Sequence, residues 1–339
     1  MPRAPHGHDH GRVRIDETRT KILTRHELLA SGIRESQLKR SLRDGRLRRL
    51  HTGAFVTRQD WESARAEERH LLAVLAADRA RKGGDVVFSH ASAAVAWGLP
   101  LFRMPPSPVH TSGPRTDGVV RPKAGLAHHA VAVDDEDRVV IAGLPCTSLE
   151  RTVYDMIRTQ SKEAAVALAD AAMRLVAAGS RRGRYDDDAA DAWRASLLGR
   201  IARSVGARGI RQARWLARFA DGRAELPGES VSRLYLVELG FAAPRLQVPF
   251  DGPNGEQWLI DFGLDDVGAW GEFDGVGKYT DPDLLDGRTP DQAIMREKHR
   301  EDWIRGRSQR RFVRWGMQHV ATAEALGSRL SSFGILPTR

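Results

Sequence analysis

Residues 24–56 read TRHELLASGIRESQLKRSLRDGRLRRLHTGAFV, and this stretch decides the first part of the fold. Thr24 followed three residues later by Glu27 has the spacing of a capping box. Leu28 and Leu29 give that helix an inward face, and Gly32 stops it after Ser31. Beyond the turn, Ile33, Leu38 and Leu42 lie on one face of a second helix that Gly45 ends. Ser36, Gln37, Lys39, Arg40 and Arg43 point elsewhere. LRRLHTGAFV then reads as a short hairpin turning at Thr52 and Gly53. Helix, turn, helix and hairpin over residues 18–57 is the order of a winged helix-turn-helix. In that arrangement the second helix can enter the major groove of DNA with its polar face outward. Arg48, Arg49 and His51 on the hairpin would then grip the phosphate backbone.

Charge supports the same reading. Residues 1–60 hold fourteen Lys and Arg against seven Asp and Glu, which is most of the net +9 of the 339-residue chain. A local basic excess concentrates polyanions and supplies salt-sensitive phosphate contacts. A solvated, Arg-rich surface has the same composition, so the charge needs the helix–turn–helix order beside it.

The chain is long enough for two or three domains. Its longest apolar runs, such as Leu71–Ala77, fall far short of the roughly 20 residues that span a bilayer. No membrane partner is expected, and the N-terminus lacks the apolar core of a secretory signal. Cys146 is the single cysteine, so an internal disulfide and a thiolate zinc site are both excluded, which suits the reducing cytoplasm. Cys146 reads as a buried structural residue. His6, His8 and His10 read as part of a flexible polar tail over 1–17. Residues 60–222 mix helices with short β-rich runs and carry a charged loop at 179–191. Residues 228–339 read helix, three strands, helix, strand, helix. The fold class expected is therefore α+β and multidomain: an N-terminal winged helix, a mixed α/β middle region and a C-terminal α/β domain with a mixed central sheet.

The segment 24–56 resembles the N-terminal winged-helix domain of AbiEi-type antitoxins from type IV toxin–antitoxin systems. FSHASAAVAWGLPL (88–101) and LPCTSLERTVYD (144–155) resemble the region that follows it. The resemblance implies double-stranded DNA as partner, transcriptional autorepression through an operator, and a cognate toxin as a further partner. Arg34 stands where that family has a Ser or Thr cap, which predicts a less firmly started second helix. His90, beside Ser89 and Ser92, reads as a structural histidine at a helix start, because no acid or nucleophile in the sequence is tied to it. Arg151 and Asp155, four apart, are expected to pair on one helical face.

Chemistry, if the chain performs any, belongs to the C-terminal region. Glu229 opens a helix with Val231, Leu234, Tyr235 and Leu239 as its apolar stripe. PRLQVPF, QWLIDFGL and AWGEFDG follow as strand-like runs. Alternation puts Glu272 and Asp274 on one face. Asp261 sits in an apolar strand, where an unpaired carboxylate is costly. A Mg²⁺ ion shared by Asp261 and Glu272 would neutralise both and hold a water able to attack phosphate.

The order Glu229, Asp261, Glu272-x-Asp274 resembles the restriction-endonuclease-like PD-(D/E)xK superfamily, and more closely its Vsr-like branch. The resemblance runs from about residue 228 to 333 and includes GEFDGVGKY, REKHRED and RRFVRWGMQHV. It implies Asp261 and Glu272 as metal ligands and Glu229 as an accessory acid. Asp274 replaces the superfamily's lysine, which positions the attacking water and offsets charge on the phosphate. Lys278 and Lys298 are candidate substitutes, or Asp274 joins the metal shell. Activity therefore does not follow from the motif: a Mg²⁺-dependent DNA endonuclease and an inactive nuclease fold used to bind DNA both remain open. In REKHREDWIRGRSQRR, Trp303 and Ile304 are expected to face the core. Arg296, Lys298, Arg300, Arg305, Arg307, Arg310 and Arg311 either follow a phosphate backbone or are simply solvated.

Overall fold

The computed structural model describes residues 8–81, 84–106, 108–114, 125–178, 185–275 and 289–338. The chain is a mixed α+β protein that divides into two compact units, residues 1–220 and 221–339. The winged module and the middle region expected over 60–222 thus belong to a single unit.

Helix α1 (His8–Thr20) occupies much of the segment expected as a flexible tail. Ile15 and Thr18 are buried, and α1 packs on α5 (Ala66–Arg79). One apolar anchor among charged neighbours leaves no helical periodicity to detect; the partner helix creates the burial. The winged module follows as β1 (Leu23–Thr24), α2 (Arg25–Ala30), α3 (Glu35–Arg43), β2 (Leu47–His51) and β3 (Ala54–Thr57). Its three strands form one antiparallel sheet in the order β1-β3-β2. Leu28, Leu38 and Phe55 form its core, ringed by Leu23, Ile33, Leu42 and Leu47. Thr24 and Glu27 close the capping box, with Thr24 N donating to the Glu27 carboxylate at 2.7 Å and Glu27 N to Thr24 Oγ1 at 3.1 Å. α3 starts without a Ser or Thr cap, but Gln37 Oε1 accepts from Arg34 N at 2.7 Å and secures the turn from the other side. A short helix, α4 (Arg58–Ser63), leads into α5.

The rest of the first unit is built on a five-stranded mixed sheet, in the order β6-β5-β4-β8-β7. Its strands are β4 (Val87–Phe88), β5 (Val109–Gly113), β6 (Leu126–Ala130), β7 (Arg138–Ile141) and β8 (Leu144–Thr147), with α6 (His90–Ala96) between β4 and β5. Four helices complete the unit: α7 (Leu149–Thr159), α8 (Lys162–Ala177), α9 (Asp187–Arg203) and α10 (Ile210–Phe219). Of the loop expected at 179–191, residues 179–184 lie outside the described residues, and Asp187 onward is helix. Asp186 caps it by accepting from Ala189 N at 3.0 Å, and Asp187 and Asp188 suit the positive helix N-terminus. An acidic run that reads as loop is thus partly a helix start. Asp137, buried at the start of β7's approach, takes two hydrogen bonds from Arg200 of α9 at 2.7 and 2.8 Å. Arg151 and Asp155 pair at 3.0 Å, as their spacing predicts. Cys146 is fully buried, and burial pushes its thiol well above the ordinary range, consistent with an inert structural role.

The second unit is a four-stranded mixed sheet, in the order β12-β11-β10-β9, with only the β11–β12 pair parallel. Its elements are α11 (Pro227–Glu238), β9 (Arg245–Asp251), β10 (Gln257–Leu264), β11 (Ala269–Asp274), α12 (Pro290–Ser308), β12 (Arg311–Gly316) and α13 (Ala323–Ser331). α11 covers one face: Trp315 Nε1 donates to Ser232 Oγ at 2.7 Å, and the Trp315 ring lies 5.1 Å from Phe262. α12 covers the other, where Ile304 packs with Val248, Ile260, Trp270 and Phe312. Ile304 faces the core as expected. Trp303 does not: it is 38% exposed and donates from Nε1 to Asp251 O, because it lies about 100° around the helix from Ile304, at the edge of the face that packs on the sheet. No helix among the described residues is long and apolar enough to cross a membrane.

Gly228 lets α11 lie directly on Phe273, for a Cβ there would sit 2.0 Å from the ring. Gly228→Ala is expected to destabilise the second unit by about 1–3 kcal/mol through overpacking. Chemical denaturation followed by hydrogen exchange in residues 221–339 measures it; an unchanged midpoint would contradict this account of the α11–sheet contact.

Candidate functional site

The residues singled out from sequence fall in two places, an exposed helix face in the first unit and a largely buried group of acids in the second. In the winged module, Ser36, Gln37, Lys39, Arg40 and Arg43 are all exposed on α3, around the buried Leu38. The side chains of Arg40 and Arg43 are 69% and 78% accessible. Asp44, at the end of the helix, sits 3.4 Å from Arg40, 3.8 Å from Arg43 and 3.2 Å from Arg46. Exposed pairs of this kind contribute little, so a phosphate can compete for these cations. On the wing, Arg48 and Arg49 are exposed, but Arg48 is stacked 4.2 Å over the Trp61 ring and Arg49 lies 5.9 Å from that of Phe55. His51 is half-buried with its Nδ1 enclosed, so it adds less to the basic surface than Arg48 and Arg49.

In the second unit, the sheet is distorted where the acids meet. Ile260 packs on the α12 face and Phe262 on the α11 side against Trp315, although residues two apart on a regular strand share a face. β10 therefore kinks at Asp261. Opposite, in β9, Gln247 has a left-handed φ of 48°. At the kink the Asp261 carboxylate accepts from the backbone N of Phe273 at 2.8 Å, replacing a ladder bond between β10 and β11. The Gln247 amide lies 3.4 Å from Asp261 and 3.5 Å from Glu229 on α11, and Glu229 also accepts from Glu225 N at 2.8 Å. The fold thus gathers Glu229, Asp261 and Glu272 into one neighbourhood, from a helix and two strands.

Glu272 has a different environment. It is 1% exposed, and Arg300 of α12 and Arg314 of β12 approach its two oxygens at 2.5 and 2.9 Å as ion pairs, off the hydrogen-bond direction. Arg314 is in register opposite Glu272, and it also reaches Asp274 at 3.5 Å, Glu301 at 2.9 Å and Glu297. Arg300 additionally pairs with Glu297 at 3.0 Å and donates to Leu259 O at 2.6 Å. Arg305 meets Glu301 at 2.6 Å. Glu272, Asp274, Glu297 and Glu301 are thus four carboxylates set against three guanidinium groups. Burial pushes the Glu272 carboxyl up to about 7; Arg300 and Arg314 pull it down, and Asp261 and Glu297 push it further up.

This arrangement does not fit Mg²⁺ between Asp261 and Glu272. The charge such an ion would neutralise at Glu272 is already met by two arginines, and Asp261 is engaged by Phe273 and Gln247. Among the described residues, these acids do not form a set of three ligand atoms within 4.8 Å of one another; only His90, His110 and His129 do. Asp274, in the lysine position, pairs with Arg314. Lys298 is exposed, on a side of α12 turned away from Glu297, Arg300 and Ile304. Lys278 lies outside the described residues. Arg300, read from sequence as part of a backbone-following or solvated basic run, and Arg314, not singled out there at all, are the residues sequence reasoning missed: basic residues in an Arg-rich helix and strand give no sign of which turn inward. Arg296 and Arg310 engage Glu256 at 3.9 Å and Asp265 at 2.7 Å, so much of that expected basic stripe is internally paired.

Fold and site define a class: a two-unit α+β chain joining a helix–turn–helix–wing module to a mixed sheet centred on a buried, arginine-bound carboxylate. No family model matches it. The chain is 30% identical over 247 residues to uncharacterized protein MT2308 of Mycobacterium tuberculosis (strain CDC 1551 / Oshkosh) and to uncharacterized protein Rv2248 of Mycobacterium tuberculosis (strain ATCC 25618 / H37Rv). These matches cover 73% of this chain and 80% of each relative. The chain belongs to the same family as these mycobacterial proteins.

The raised Glu272 pKa has a stability consequence with a definite sign. The folded state holds the Glu272 proton more tightly than the unfolded state does. Its contribution is therefore fully present below about pH 4.5 and lost as pH rises through about 7. Replacing Glu272 by Gln is expected to flatten the pH dependence of stability between those limits. Denaturation midpoints measured from pH 4.5 to 8 check this; parallel curves for the two proteins would refute it.

Proposed function

We propose that this chain is a DNA-binding regulatory protein of the AbiEi antitoxin type, in which α3 enters the major groove and the wing arginines touch phosphate. The observation that carries this reading is the exposed face of α3. Ser36, Gln37, Lys39, Arg40 and Arg43 surround a helix held by Leu38 on a small three-stranded sheet. Lys and Arg supply the salt-dependent affinity, while Ser36 and Gln37, near the helix N-terminus, suit contact with base edges. On this reading the second unit is a nuclease-like fold that contributes binding or regulation, because its central acid is bound by arginine. A cognate toxin is the further partner that the antitoxin resemblance suggests.

The test is binding of the full chain to double-stranded fragments of its own upstream region, by fluorescence anisotropy across a salt series. Tight binding with a steep salt slope is expected. Lys39→Ala, Arg40→Ala and Arg43→Ala should each weaken binding and reduce the slope by about 1. Binding indifferent to salt and to these substitutions would overturn the proposal.

The alternative, a Mg²⁺-dependent DNA endonuclease, has in its favour the convergence of Glu229, Asp261 and Glu272. Incubating the same preparation with Mg²⁺ and supercoiled plasmid separates the readings, and no nicking above background is expected. Cleavage that requires Mg²⁺ and is lost in Asp261→Ala and Glu272→Ala would establish the enzyme instead.

A further inference from the structure

The first unit contains a cluster that neither DNA binding nor the carboxylate site uses. His90 begins α6, His110 lies on β5 and His129 on β6. Each offers one ring nitrogen, and these atoms lie within 4.8 Å of one another. His110 Nδ1 and His129 Nε2 are 2.9 Å apart. The rings are nearly parallel, with His90 and His129 centred 3.9 Å apart. Topology creates the cluster. β5 and β6 are parallel, with His110 opposite Ala127 and Ser112 opposite His129, so the two histidines are diagonal neighbours on one face. Ser89 N donates to His110 O, which brings the next residue, His90, over the same face.

We infer that His90, His110 and His129 form a binding site for one divalent first-row transition-metal ion, of which Zn²⁺ and Co²⁺ are representative.

Four observations support it. Three imidazoles with ring nitrogens within 4.8 Å of one another are a donor set such ions favour, with a position left for water or another ligand. Zn–N bonds of about 2.0–2.1 Å in a tetrahedral site separate ligand nitrogens by roughly 3.3 Å, close to the 2.9 Å between His110 and His129, so an ion would replace their ring-to-ring hydrogen bond, with the two rings turning to face it. His90 has φ 49°, a left-handed conformation uncommon outside glycine, which surrounding structure must hold in place and which clusters at functional positions. All three rings are kept neutral, the form that ligates: burial lowers His90 to about 3 and His110 to about 4, and lowers His129 as well.

The neighbours fit a ligand role. Ser89 Oγ lies 3.1 Å from His90 Nδ1 and is itself bonded to Ser112, so the other His90 nitrogen is the one available to an ion. The charges of Arg151 and Arg158, which would oppose a cation, are met by Asp155 and, for Arg151, also by Asp137; the Asp155 carboxylate favours positive charge at His129. Three neutral rings stacked for packing is the competing account; with the His110–His129 hydrogen bond it explains the burial and two of the nitrogens, but not why a third nitrogen, from His90 held at a left-handed φ, joins them.

The experiment uses the full chain with His6→Asn, His8→Asn and His10→Asn, so that the N-terminal histidines cannot compete. After chelation and dialysis, Co²⁺ is added and followed by its visible absorption, then displaced by Zn²⁺. One equivalent is expected to bind, with the intense bands of four- or five-coordinate cobalt, and Zn²⁺ should raise the melting temperature. His110→Asn and His129→Asn should weaken binding by at least about 10–100-fold. His128→Asn, whose ring meets Thr111 instead, should not. X-ray absorption of the Zn²⁺-loaded chain with His90, His110 and His129 intact counts imidazole ligands even where those variants fail to fold, and three are expected. No saturable binding, binding unaffected by the His110 and His129 variants, or fewer than two imidazoles per ion would each overturn the inference.

Discussion

Glu272 is a carboxylate in the middle of a sheet with 1% of its surface exposed, and much of the second unit is arranged around it. An ion of that kind cannot stay buried without compensation. Compensation comes from two directions: from β12 through Arg314, which is in register opposite, and from α12 through Arg300. The same contacts fix the helix against the sheet, because Arg300 also holds Glu297 and the Leu259 carbonyl while Arg314 gathers Asp274, Glu297 and Glu301. Asp274 then has a role without a metal: it is one of the acids around the half-buried Arg314.

The first unit solves its buried charges in a similar way. Asp137 is held by Arg200 and Arg151, and Asp155 by Arg151 and Arg158, so the helices α7 and α9 are tied together by ions away from water. Removing one partner of such a pair is expensive, while the intact pair adds little over a well-packed apolar core. Their consequence is a defined geometry between helices. The histidines beside them follow the opposite course: burial suppresses their charge, and the rings stack.

A functional contrast follows from where the arginines point. On α3 they extend into solvent from a helix secured by Leu38, with the exposed Asp44 as their ion-pair partner among the described residues, which leaves them open to a polyanion. On α12 and β12 the central ones turn inward and are consumed by carboxylates. Two basic stretches of similar composition thus have different chemical availability, and the DNA-binding proposal rests on the first.

Local chemistry alone made the winged module legible. Thr24 and Glu27, Gly32 and Gly45, and the spacing of Leu28, Leu38 and Leu42 each act within a few residues, so helix limits, turn and hairpin could be read from the chain. The strands holding Asp261, Glu272 and Asp274 were legible for the same reason, since alternation is a local property. What neutralises Glu272 was not. Arg300 and Arg314 are 28 and 42 residues away in sequence, and only strand register and helix packing bring them to its oxygens. Nor was the kink at Asp261, which depends on the opposing Gln247 and on Phe273 of the next strand. Likewise His90 reads alone as an ordinary helix-start histidine; His110 and His129 join it only because β5 and β6 run parallel and in register. Sequence determined the elements and which groups they carry; the long-range pairing of strands and helices decided which charges meet, because an ion pair or a ligand set is a property of distance in space.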